Sequence, residues 1–110
     1  MATAEYWQRG EALDYVNSGN TTIEANTIVT IGSRIGVTGG PIAPGETGAL
    51  HVGGVWVMPK TGTAAISMGA VVYFDGTGIT GTSGTGTTEA GYAAADAAAD
   101  ATTILVKLRG

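Results

Sequence analysis

One short phrase recurs three times in this chain: an Ile, two residues, a Gly or Asn, and then a step into small or apolar residues. It stands at Ile23-Glu24-Ala25-Asn26, at Ile42-Ala43-Pro44-Gly45 and at Ile66-Ser67-Met68-Gly69. Both members keep step, because Ile23 to Ile42 and Asn26 to Gly45 are each 19 residues apart and the next two intervals are each 24. Gly and Asn tolerate positive φ, so each copy predicts a tight turn with a buried Ile ahead of it and a strand behind it. A chain punctuated this way is built from short strands and turns. Folds of that kind hold and bind more often than they catalyse.

Composition narrows the reading. A chain of 110 residues is one domain, large enough to bury the core of a small sandwich or barrel. Nineteen Gly beside seven aromatics (Tyr6, Trp7, Tyr15, Trp56, Tyr73, Phe74, Tyr92) suit a thin β core with many corners. Charged residues make up only 13 %, about half the usual share. So sparse a charge suggests surface meant to be covered by another subunit; a Thr-rich monomer surface is the plainer alternative. The net charge of −4 argues against a nucleic-acid partner, and the five basic residues are scattered rather than gathered on one face. With no Cys there is no disulfide framework and no thiolate metal site. No basic start leads into an apolar run, so no secretory signal is expected. No apolar stretch approaches the roughly 20 residues of a membrane helix. The sequence predicts a soluble protein with no membrane partner.

Strand signals run along the chain. Tyr6 to Val16 can be extended, with Gly10 as a bend and with Leu13 and Tyr15 sharing one face. Residues 1–10 are either a separate N-terminal arm or the start of the first strand, and residues 11–110 form the β domain. Thr27–Ile31 and Ser33–Val37 are short neighbours. Around Gly53-Gly54 the apolar residues occupy both faces: Val55 and Val57 on one, Trp56 and Met58 on the other. Such a strand expects cover on both sides, from a closed barrel or from a partner chain. Pro59 ends it. Ala70–Phe74 is a further strand, and residues 76–88, almost all Gly, Thr and Ser, predict a flexible loop or hairpin tip. Ala93 to Ala101 is Ala-rich, which allows one short helix or helical turn near 95–100. Thr103–Leu108 alternates cleanly, with Ile104, Val106 and Leu108 inward. The fold class is therefore all-β, a small barrel or clip of short strands.

Motifs that suggest chemistry fail on their surroundings. Gly54 to Thr61 resembles a phosphate-binding loop with Pro59 in place of its second Gly. Such loops offer consecutive N–H groups to phosphate, and Pro59 has none. Gly76-Thr77-Gly78-Ile79-Thr80-Gly81 has dinucleotide-loop spacing but no amphipathic helix after it. His51 is the single His, flanked by packing residues, which favours a structural or interface role over a triad or metal pair. Glu11 with Asp14 marks no cleft, and Asp96 with Asp100 lacks a calcium-loop pattern. The residues nominate no catalytic group, no metal ligand, no cofactor and no small-molecule substrate.

Several segments together resemble a family of small tailed-phage proteins, formerly labelled predicted recombinase and later understood as capsid decoration, or cement, proteins. The resemblance runs through Tyr6-Trp7-Gln8-Arg9-Gly10-Glu11, the Ile-x-x-Gly turns, Gly48 to Lys60, Gly69 to Asp75, Gly91-Tyr92-Ala93 and Thr103 to Leu108, in that order and at this overall length. It implies a β-clip-like fold and a structural virion protein, made in the host cytoplasm, that binds the outside of the capsid and stabilises the shell. It further implies the major capsid protein as partner and a homotrimer as assembly. Tyr6, Trp7, Gln8 and Arg9 are the candidate capsid contacts, and Tyr6, Trp7 and Arg9 are of the residue types in which binding energy concentrates. The alternatives are a carbohydrate-binding or adhesion module that stacks sugars on Trp7 and Trp56, and a DNA-processing enzyme, for which the chain offers no nucleotide site.

Overall fold

The runs of Val, Ile and Thr become strands wherever apolar residues alternate. A computed structural model describes residues 2–6 and 8–109, and among these there are nine strands and no helix. They are β1 (Ala12–Val16), β2 (Ile28–Ile31), β3 (Arg34–Thr38), β4 (Thr47–His51), β5 (Val55–Pro59), β6 (Val71–Phe74), β7 (Ile79–Thr80), β8 (Thr88–Ala93) and β9 (Thr103–Leu108). Two antiparallel sheets result, in the orders β1-β4-β3-β2 and β5-β9-β8-β6-β7. The all-β expectation holds. The pattern in β9 also holds: Ile104, Val106 and Leu108 are buried and Leu105 is exposed.

The recurring phrase is the organising unit. Each copy forms an isolated bridge at its first residue and a turn at its third and fourth. Positive φ is found where the phrase requires it, at Asn26 (62°), Gly45 (80°) and Gly69 (89°). Ile42 and Ile66 are buried, while Ile23 is half-buried. Ile23 and Ile42 exchange two backbone hydrogen bonds, of 3.0 and 2.8 Å. Ile66 does the same, at 2.9 and 2.8 Å, with Ala97.

That last pairing corrects the reading of the Ala-rich segment. The chain is not helical near 95–100: Ala94 and Ala95 bend, Ala97 bridges, and Ala99-Asp100 turn. Ala97-Ala98-Ala99-Asp100 repeats the bridge and turn as a fourth copy, with Ala in place of Ile and without the positive φ of the other three at its last residue, Asp100. The pull of Ala toward helix is weak, and bridge bonds to Ile66 outweigh it.

With four copies in place, the domain is two similar units joined in tandem. Ile23 and Ile66, Asn26 and Gly69, and the first residues of β2 and β6 are each 43 residues apart. Ile42 and Ala97, Gly45 and Asp100, and the last residues of β3 and β8 are each 55 apart. The difference, twelve residues, falls between β6 and β8, where the second unit inserts β7. Several hydrogen bonds recur at corresponding places. Asn26 N donates to Thr38 O and Gly69 N to Ala93 O, both at 2.8 Å; Val52 N donates to Glu11 O and Leu108 N to Gly54 O, both at 3.0 Å. Gly36 and Gly91 also correspond, and at each a Cβ would collide with the neighbouring strand.

The segment 76–88 is therefore more than a hairpin tip. Ile79 is fully buried, β7 pairs with β6, and Asp75 takes the amides of Thr77 and Gly78 at 2.9 Å to close the turn. The core lies on the inner face of the second sheet, with Met58, Val72, Ile104, Val106 and Leu108 among its members. Ile35 and Val37 of β3 join the same cluster and fasten the first sheet to the second.

Candidate functional site

The chemistry-bearing residues are spent on structure. Val55–Pro59 is a strand rather than a loop, and Lys60, which follows it, is buried with its ammonium donating to the carbonyls of Gly62 (3.1 Å) and Ala99 (3.2 Å). At the corresponding place in the first unit, Asn17 is buried and donates to Thr21 O and Ile42 O at 2.8 and 2.9 Å. Both side chains pin the end of a strand to the bridge-turn of their own unit. His51 is half-buried with its ring tilted against Trp56, the centroids 5.6 Å apart. Asp96 Oδ1 accepts Met68 N at 2.7 Å and so braces a turn, while Asp100 is exposed.

Asp75 is held in a hydrogen-bonded turn. The Thr61 hydroxyl donates to its carboxylate at 2.6 Å, and with the amides of Gly78 and Thr77 holds its pKa below the usual carboxylate value. Among the described residues no three His, Asp or Glu side chains stand together as metal ligands. An open cleft runs between the β2–β3 turn and β8, lined by Ser33, Arg34, Thr88, Glu89 and Arg109, with Arg109 paired to Glu89.

Two surfaces of the described residues stand open instead. The first is the N-terminal segment. Residues 2–6, 8 and 9 lie outside every strand and are exposed, Tyr6 at 78 %. Arg9 reaches Glu11 in an exposed pair at 3.4 Å, and Gln8 is exposed. Trp7 lies outside the described residues. Tyr6, Gln8 and Arg9 thus occupy one run just ahead of β1.

The second surface is the outer face of the second sheet. Val55, Lys107, Tyr92 and Val71 stand directly opposite one another across β5, β9, β8 and β6, and Val57 faces Leu105 one row along. The five uncharged members are between 40 % and 67 % exposed. Individual site residues on this face were not nominated from the sequence. The signal was nonetheless there: a strand apolar on both sides demands cover on both, and only the Trp56–Met58 side of β5 finds it within the chain.

A fold of paired strands, with polar side chains tied to backbone and apolar surface left open, is one that binds. Comparison with known proteins agrees. The profile of a family described as phage cement protein matches residues 7–108. No curated protein and no solved structure matches the chain. With nearly its whole length matched, the chain belongs to the phage cement protein family, a structural family whose role is to stabilise the capsid.

Proposed function

We propose that this protein attaches to the outside of the assembled shell, where it binds the major capsid protein as a homotrimer and performs no catalysis. The observation that carries the reading is the match over residues 7–108 to a capsid-stabilising family. It is made in the host cytoplasm, where the shell assembles, and acts on the finished particle. Residues 1–10 are the attaching arm, and residues 11–110 are the body. Tyr6, Trp7, Gln8 and Arg9 are its contact residues. The described part of that segment makes no ladder with the domain, so its backbone N–H and C=O groups are free to add as a strand to an exposed edge of a shell subunit. Tyr6 and Trp7 would then fill pockets and fix the register.

Binding of purified protein to expanded empty capsids tests the role. Removal of residues 2–9 tests the arm. Capsid binding should be lost while the melting temperature stays the same; a collapse in stability would return these residues to the core and end the arm proposal.

A further inference from the structure

The duplicated architecture carries an inference about self-association, which rests on the reading of this chain as an oligomeric cement protein. In the first sheet the row of residues equivalent to Val55–Lys107–Tyr92–Val71 is Ala12–His51–Val37–Ile28, again directly opposite in register across four strands. The two rows differ in their cover. Val37 is 3 % exposed and, with Ile35, belongs to a cluster otherwise made of second-unit side chains; Ile28 packs against that cluster, and Trp56 rests on His51. The row in the second sheet has no such cover, and Val55, Tyr92 and Val71 are each more than 40 % exposed.

We propose that the open row binds a second copy of this chain, whose first unit covers it as the second unit covers the first-sheet row within one chain. The counterpart of Trp56, 43 residues earlier, is Leu13, and Leu13 is 38 % exposed. The counterpart of His51 is Lys107. A neighbour placed by the same relationship sets its Leu13 against Lys107 and Tyr92, and the Lys107 stem adds apolar surface while its ammonium donates to Leu108 O at 3.1 Å. This contact joins two different surfaces, head to tail. Heterologous contacts close into a ring, of which a trimer is one, or run on as a filament, and they give no isologous dimer.

The absence of Cys makes the test clean, since every introduced thiol is unique. Leu13→Cys protein and Lys107→Cys protein are mixed and treated with a short bis-maleimide. Cross-linked dimers should form in the mixture and in neither sample alone, and the double variant should give a covalent ring. Equal cross-linking of Lys107→Cys by itself would show an isologous contact and overturn the proposal, as would a trimer that yields no cross-link. Tyr92→Glu supplies the second arm. With near-UV circular dichroism unchanged, light scattering should show loss of the oligomer. If this variant stays oligomeric but no longer binds capsids, the face belongs to the shell; the inference then fails while the cement role stands. If wild type is monomeric both in solution and by cross-linking on capsids it still binds, the inference again fails alone.

Discussion

Lys60 ends its strand with the charge turned inward, and two carbonyls take the place of water. An isolated buried ammonium is costly, but one that satisfies Gly62 and Ala99 also removes two unpaired acceptors. Lys60→Met keeps the stem and frees those carbonyls; urea denaturation should show a loss of about 1–3 kcal/mol. Asp75 works at the surface and responds to acid. Its folded pKa is held below the unfolded one, so its contribution is complete above the unfolded value and disappears as pH falls through the folded value. Asp75→Asn should therefore lose a small amount of stability at neutral pH, and the gap to wild type should close below about pH 4. Melting temperatures measured across the acid range check this. Neither role could be read from sequence. A Lys after a Pro-ended strand and an Asp before a Gly are common surface patterns, and only the folded turns reveal what each one holds.

The bridge-turn is the element that these residues serve. In its three Ile copies the first position is filled by a bulky side chain and the fourth by left-handed backbone, and the two features separate experimentally. Ile42→Ala empties a buried site and should cost about 2–5 kcal/mol in chemical denaturation. Asn26→Val puts a β-branched residue at φ 62° and should cost about 1–2 kcal/mol, whereas Asn26→Gly should fold normally. Three of the four copies were legible because Ile and Gly or Asn stand out at fixed spacing. The fourth was hidden because Ala97 and Asp100 use residue types that signal helix and solvent, and because β7 stretches its spacing from 19 to 31 residues. The strands were legible for the same reason as the turns, since alternation in β5 and β9 is direct evidence of a pleat. Ile79 was lost among Gly and Thr, a single apolar residue too isolated to register as a strand.

At the scale of the whole molecule, the sequence carried the binding character better than the binding place. Few charges and double-sided apolar strands pointed to covered surface, but which face stays open depends on how one unit lies over the other, and no local pattern encodes that. The order of strands has a further consequence. In each sheet the strand made last does not join the edge: β4 enters between β1 and β3, and β9 between β5 and β8. During translation, β5 and β8 must wait as unpaired edges until residues 103–108 leave the ribosome, and unpaired edges are where chains join wrongly. A chain cut after Thr102 should consequently sediment as aggregate, and a peptide of residues 103–108 added during refolding should restore solubility and near-UV circular dichroism. A soluble, native-like truncated chain would refute the claim. The inner place of β9 thus makes completion of the chain a condition for the second sheet, and an interrupted message should yield open chain rather than a weakened copy of the protein.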